Sequence, residues 1–424
     1  MIGSGAAARN AEPATLPWEL LALTRYRVPA ARQRQEPVGH QTIADLASDL
    51  GRPVRVAVAR FDGIGDWVLT VPLFPALRKD RNVGQVIAVG PPGLRALLDR
   101  GGIDRFIPYG GGTILSPPSP GGATGKVKAV SWLVGQKAYR EGVGSAHEVD
   151  MVLLPRWDTD LGQNARLWGF GASLNVVGFD PRYVRGTSRI ERREAALLSN
   201  AVTAPCGAVH ELDHLQTFGE AVGLDSSASL GYGLEFFGVS RDAPSDKGER
   251  EYVVIHPLSN EPKRQWPLDR WGAVIDELIA STDLHVAVIG SKSEWGQIQT
   301  LVGRDHTRIH NHAGGALGAL PQLMASARLF IGNDSGPMHV AASVGTPVVM
   351  VSPHPRDGAA DHRNSPIRFG PARTDFEILQ PDSGLDTCTT GCVARVPHCI
   401  TTVSVSEVIT AATKLIAKND PFER

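Results

Sequence analysis

Two separate series of short β-branched runs, each run followed by a turn and an amphipathic stretch, constrain this chain more than any other feature. Residues 54–60 (VRVAVAR) read as a strand that feeds a helical stretch at 67–78 through a Gly-containing loop. Residues 86–89 and 151–154 repeat the strand signal, with helical segments at 93–99 and 164–171. In the second series, strands are expected at 252–256, 285–290, 329–333 and 347–352, and helices at 269–280, 317–327 and 338–344. Alternation of this kind predicts an α/β fold with parallel sheets covered by helices on both faces. The polar run 240–251 (SRDAPSDKGERE) has the composition of an interdomain linker. The Gly/Ser/Thr/Pro-rich stretch 109–125 reads as a long substrate-side loop. The expected organisation is an N-terminal extension (1–50) and two Rossmann-like doubly wound domains (51–245 and 250–424). Ligands of open α/β sheets bind outside the carboxyl ends of the strands, so the chemistry belongs in the cleft between the two domains.

Composition narrows the partners. Lys+Arg number 43 against 44 Asp+Glu, a formal net charge of −1, so nothing calls for a nucleic-acid partner. Four cysteines in 424 residues are too few for a disulfide scaffold, which makes a reducing compartment the default. No signal-peptide run and no membrane-spanning stretch is apparent, and a cytoplasmic protein is expected. Near the N-terminus, Trp18, Leu20, Leu21 and Leu23 make a short apolar helix face followed by Arg25, Arg27, Arg32 and Arg34. Such a segment either docks on the body with a solvated basic edge or makes peripheral contact with the anionic inner face of a membrane.

Three stretches can carry chemistry. In RFDGIGDW, Gly63 and Gly65 permit a sharp strand-to-helix turn, and Asp66 falls near the helix start. There it can be an ionised general base, because a helix N-terminus favours the carboxylate, or simply an N-cap. Asp62 in the same loop is its rival. In NDSGPMHVAASVGTPVVMV, a strand ends at Asn333, and Ser335 and Gly336 open a helix whose free N–H groups can hold a phosphate. Pro337 is tolerated in that first turn, Met338 follows it, and Asp334 and His339 flank the anion position. The same string can equally be a well-capped core helix. In HPLSNEPKRQWPLDRW, Ser259, Asn260, Lys263 and Arg264 lie between a strand and a helix, where cations meet a diphosphate or form an ordinary charged loop. Trp266 and Trp271 read as packing residues, and His310 and His312 as loop residues.

RFDGIGDWVLTVPLFPALR, PKRQWPLDRW, NDSGPMHVAASVGTPVVMVS and CTTGCVARVPHCITTVSVSEV together resemble glycosyltransferase family 9, best known for the ADP-heptose:lipopolysaccharide heptosyltransferases. The resemblance runs from about Val54 to Ile416, in order and spacing. It implies a GT-B fold, with an N-terminal acceptor domain and a C-terminal nucleotide-sugar domain. It also implies inverting, metal-independent transfer with no cofactor beyond the nucleotide-sugar substrate, most simply ADP-heptose, onto a hydroxyl of a glycan or glycoconjugate. Asp66 falls on the family's general base. Asp334 falls where sugar or ribose hydroxyls are bound, and Ser335, Gly336 and His339 fall around the diphosphate. The family's K-x-W-P lysine is Arg264 here, with Lys263 beside it, so the cation's assignment is split. Glu294 is similar to a ribose-binding acidic residue. Asp62, Gly65, Asp158 and Asp160 lie on the acceptor side. Another nucleotide-sugar donor on a natural-product or protein acceptor, or a non-catalytic nucleotide-sugar binder, are the alternative readings.

Two patterns suggest a metal. Asp158-Thr159-Asp160 is a D-x-D, but it lies in the acceptor half, where hydroxyl binding or loop capping is expected instead. Cys388, Cys392, His398 and Cys399 lack zinc-ribbon spacing, and neighbours such as His398 and Cys399 rarely share an ion, so buried thiols are expected there.

Overall fold

The computed structural model describes residues 42–60, 62–98, 102–108, 149–156, 175–180, 198–207, 209–224, 233–241, 251–303, 307–362, 364–385, 388, 391 and 393–419. The amphipathic N-terminal segment, the 109–125 loop, the helix expected at 164–171, most of the polar run before residue 251, and Asp158, Asp160 and Cys392 lie outside them.

The first sheet comprises β1 (Val54–Ala59), β2 (Val83–Gly90), β3 (Arg105–Pro108), β4 (Met151–Leu154), β5 (Asn175–Phe179) and β6 (Asn200–Val202), in the order β3-β2-β1-β4-β5-β6. The second comprises β7 (Tyr252–His256), β8 (His285–Val288), β9 (Ile309–Asn311), β10 (Leu329–Asn333), β11 (Val348–Val351) and β12 (Phe376–Leu379), in the order β12-β11-β10-β7-β8-β9. All pairings are parallel; Val56, for example, lies between Val86 and Met151, and Ile331 between Ile255 and Val349. Strands buried on both faces read as unbroken apolar runs, and every residue of β4, β10 and β11 is buried. Each sheet winds outward both ways from its first strand, so strand order reverses between β1 and β4 and between β7 and β10. Those two switch points are where such sheets open a crevice.

Helices α1 (Ile43–Leu50), α2 (Ile64–Thr70), α3 (Leu73–Lys79), α4 (Arg95–Leu98), α5 (Glu211–Ala221) and α6 (Leu234–Phe237) accompany the first sheet. Helices α7 (Leu268–Ser281), α8 (Trp295–Val302), α9 (Leu320–Ala325), α10 (Gly336–Ser343), α11 (Pro366–Phe369) and α12 (Val405–Lys418) accompany the second. The single helix expected at 67–78 is two, α2 and α3, divided at Pro72, which cannot donate a helical hydrogen bond. Likewise the stretch 317–327 is a 3₁₀ turn over Leu317–Ala319 followed by α9. Thr42 and Asp45 form a capping box on α1, which buries Ile43 and Leu46 in the core, so the packed body already begins within the stretch read as an extension. His310 lies on β9, the second sheet's edge strand, rather than in a loop.

One apolar cluster runs through both halves, from Trp67, Phe74 and Phe218 to Phe330, Met338 and Val340. It joins α2 to α10. A second cluster lies wholly in the C-terminal half around Trp266 and Trp271, which meet edge-to-face at 5.0 Å and are packing residues as expected. Among the described residues, no helix is long and apolar enough to cross a membrane.

Candidate functional site

At the first switch point β1 ends at Ala59, and Gly63 caps α2 with extended backbone and no side-chain bond. Asp66 therefore sits inside the first helical turn, not at the cap, where the free N–H groups favour its charged form. Its carboxylate is about one-third exposed (32%) and meets Arg60 Nη2 at 3.0 Å. Asp62 differs. It is buried, with Arg60 Nε 2.8 Å from one oxygen and Arg156 Nη1 on the other. Two guanidiniums occupy the rival carboxylate, while Asp66 stays open to the cleft. Arg60 is itself buried and gives its third nitrogen to Thr70 Oγ1 at 3.1 Å. Burial opposes its charge, but Asp62 and Asp66 outweigh burial and hold its pKa above the ordinary value.

At the second switch point β7 ends at His256 and β10 at Asn333. Ser335 is the N-cap of α10 but makes no capping bond; Pro337 has no N–H and the Met338 N–H donates to the Ser335 carbonyl at 3.1 Å, so the first turn offers a ligand the Gly336 N–H. Its hydroxyl donates to the Asn333 carbonyl at 3.1 Å and lies 2.9 Å from His256 Nδ1. With that proton committed, His256 must donate from Nδ1, which fixes its tautomer. Burial pushes His256 down to about 4, with Glu294 partly offsetting, so the ring is neutral near pH 7. Asn333 accepts from the Trp266 N–H at 3.1 Å and donates to the Pro257 carbonyl at 2.8 Å, tying the β7 loop to the end of β10.

Arg264 reaches Asp334 at 3.5 Å and donates to Asn364 Oδ1 at 2.9 Å. Lys263 is buried against Glu261 at 3.1 Å and does not line the cleft. Of the two cations, Arg264 is the one presented. Burial raises the Asp334 carboxyl above its ordinary pKa, with Arg264 partly offsetting. Burial also pushes His339 down to about 3, and His210, Arg264 and Arg60 add to that. The buried Nδ1 of His339 has no hydrogen-bond partner among the described residues.

These groups line one cleft of about 2010 Å³ shared by the two halves. Pockets for drug-sized ligands span roughly 300–1,000 Å³, so there is room for a nucleotide-sugar and an acceptor together. Asp62, Gly65, Asp66, Ser259, Asn260, Arg264, Glu294, Asp334, Ser335, Gly336, Pro337 and His339 all line it. Met338 does not: it is fully buried in the core shared by the halves, because the helical turn points it away from its neighbours' face. Asp158 and Asp160 lie outside the described residues. Sequence reasoning missed Arg156 and His256, although both stand at the carboxyl ends of strands it had recognised. It also missed Asp361 and His362, on irregular chain after β11, and Arg368, on the four-residue α11, which reach the wall without a local pattern.

The model of glycosyltransferase family 9 (heptosyltransferase) matches residues 183–352. Lipopolysaccharide heptosyltransferase 3 of Escherichia coli is 32% identical over 117 residues, covering 27% of this chain. The chain spans about a third (33%) of the length of that curated relative. Over those residues the chain is similar to the glycosyltransferase family 9 heptosyltransferases. The family-9 glycosyltransferase of Veillonella parvula DSM 2008 superposes on this chain with a TM-score of 0.62 at 19% identity, covering 86% of this chain and 98% of the other. The E. coli heptosyltransferase WaaC, solved with ADP, gives 0.61 at 16% identity over 86% and 100%. At those identities the superpositions speak for the fold, which is GT-B: two doubly wound units on either side of a cleft.

Proposed function

We propose that this chain transfers a sugar, heptose from ADP-heptose, to a hydroxyl of a glycan or glycoconjugate, with inversion at the anomeric carbon and without a catalytic metal. One observation carries the reading: a partly exposed carboxylate in the first turn of α2 and the start of α10, which meet at Gly65 and Gly336, line one cleft together with Arg264. Asp66 takes the acceptor hydroxyl's proton, and the oxygen attacks the anomeric carbon from the face opposite the diphosphate. As the bond to the leaving group breaks, the Gly336 N–H at the start of α10 and Arg264 receive the growing negative charge. Asp334 and Glu294 bind hydroxyls, and neutral His339 and His256 shape the diphosphate end without adding charge. Support for the donor comes from WaaC, which has been solved with ADP and with ADP-2-deoxy-2-fluoro heptose. The kinship with a lipopolysaccharide heptosyltransferase supports a glycan acceptor. The cytoplasmic face of a membrane, reached peripherally, is the setting that suits such an acceptor.

Asp66→Asn tests the mechanism. It should keep ADP affinity within about twofold and lower kcat by about 10²–10⁴-fold. Calorimetric titration against ADP, UDP, GDP and dTDP, with and without added Mg²⁺, tests the donor. ADP is expected to bind best and to ignore Mg²⁺; selective binding of another nucleotide would replace the donor while leaving Asp66 its role.

A further inference from the structure

Between β12 and α12 the described chain forms no regular element except a 3₁₀ turn over Cys399–Thr402. Two thiols are nevertheless buried there. Cys388 and Cys399 form a small cluster of their own, with Ala394 packed against it among the described residues, apart from the large apolar cores. Among the described residues, two thiols and a methyl group make up this cluster's apolar packing. His398 supplies the missing piece: its Nδ1 lies 3.3 Å from Cys399 Sγ and 3.8 Å from Cys388 Sγ, and the three atoms all fall within 4.8 Å of one another.

We propose that Cys388, His398 and Cys399 bind one thiophilic divalent cation of the zinc type. Metal–sulfur bonds near 2.3 Å and metal–nitrogen bonds near 2.0–2.1 Å, set at the tetrahedral angle, place sulfur and nitrogen about 3.6 Å apart. The two observed separations bracket that value. The sequence argued against adjacent ligands, but the backbone at His398 (φ −140, ψ −95) turns its ring back toward both sulfurs as Cys399 begins the 3₁₀ turn. The Leu385 N–H donates to Cys399 Sγ at 3.4 Å, an outer bond that steadies a metal-bound thiolate. Thiolate and imidazole ligands select zinc or ferrous iron over magnesium or calcium. Three protein ligands leave a fourth position of a tetrahedral ion for water or a further side chain.

The site's role is structural, since none of its three ligands lines the cleft. It fastens the strap behind the cleft wall. Gly391, within the strap, packs so closely on cleft-lining His362 that an added Cβ would come within 2.6 Å of the ring. Just beyond Cys399, the Thr401 and Val403 carbonyls accept from Arg270, and Val403 also accepts from the Trp266 indole.

The test uses the full chain, purified under reducing conditions and analysed for bound metals by mass spectrometry as isolated and after loading with Zn²⁺. About one ion per chain is expected, and the as-isolated analysis tells zinc from iron. Loading with Co²⁺ should give the visible bands of a tetrahedral site with thiolate charge transfer. Cys388→Ser, Cys399→Ser and His398→Ala should each lose the ion, and Cys206→Ser, which alters an exposed thiol, should keep it. Should those variants fail to fold, the wild-type cobalt spectrum still decides. A chain that retains no ion and shows no thiolate–cobalt band overturns the proposal, as does full retention in all three variants. A disulfide between Cys388 and Cys399 in the metal-free protein overturns it too.

Discussion

His256 and His339 are buried in the cleft wall and held far below the ordinary imidazole pKa, at about 4 and about 3, chiefly by burial. In the unfolded chain each takes its proton near 6.5, so below that pH the unfolded state binds more protons and stability falls as pH falls. The decline ends only when the folded groups titrate, near their own lowered values. Each histidine contributes up to about 1.4 kcal/mol per pH unit inside its window. Asp334 acts with the opposite sign: its raised pKa lets the folded state take its proton first, which softens the acid end of the decline. Urea midpoints should therefore drop from about pH 6.5 to about pH 4.5 and do so less steeply in His256→Asn. Equal slopes in the variant and the wild type would mean that His256 is not held neutral by the fold.

At the scale of elements, the starts of α2 and α10 touch because both carry glycine there. A Cβ on Gly336 would stand 2.9 Å from Ile64 Cβ and 3.1 Å from the Gly65 nitrogen, and a Cβ on Gly65 would stand 2.6 Å from the His339 ring. Gly336→Ala should wedge the helices apart, cost about 1–3 kcal/mol in urea unfolding, and raise the donor KM, because the anion-binding N–H of residue 336 moves with α10. Gly296→Ala, where a Cβ meets nothing within 4 Å, should cost nothing. Unchanged stability and KM in Gly336→Ala would refute the close-approach account. The same elements show what a sequence makes legible. The strands flanking both switch points, β1, β4, β7 and β10, read clearly because they are central and buried on both faces. β3 (RFIP), β5 (NVVGF), β6 (NAV), β9 (IHN) and β12 (FEIL) are only three to five residues long, and all but β5 are the outermost strands of their sheets, so periodicity carries little signal. Asp66, Arg264 and Ser335 were legible because local turn chemistry places them beside readable strands. The buried Arg60 that clamps Asp62 and Asp66 was not, because that clamp is a tertiary event.

The two halves of the molecule are joined by polar contacts as well as by their shared core. Glu211, in the first turn of α5, meets Arg368 of α11 at 2.8 and 3.1 Å, with side-chain exposures of only 4% and 3%. Beside this pair, His210 Nδ1 accepts from the Leu212 N–H, so its Nε2 carries the proton and donates to the Gly370 carbonyl at 3.0 Å. Burial, the leading cause of its lowered pKa, keeps that ring neutral. Farther along, Arg241 Nη1 donates to the Gly345 carbonyl at 2.6 Å. Arg368 also lines the cleft, so the Glu211 pair fixes how α5 meets the wall that substrates touch. Removing one member of a buried ion pair leaves the other charged and desolvated, which costs about 3–5 kcal/mol, whereas replacing both by apolar groups is often neutral. Arg368→Ala should therefore lower the urea midpoint sharply, and Glu211→Leu/Arg368→Met should restore most of it. The double variant separates stability from orientation: with the fold restored but the directional contact gone, ADP affinity should hold, because α10 and Arg264 are untouched. Turnover should fall, because Asp66 on one half must face a donor held by the other. A double variant with wild-type kcat would show that the shared apolar core alone sets how the halves face each other.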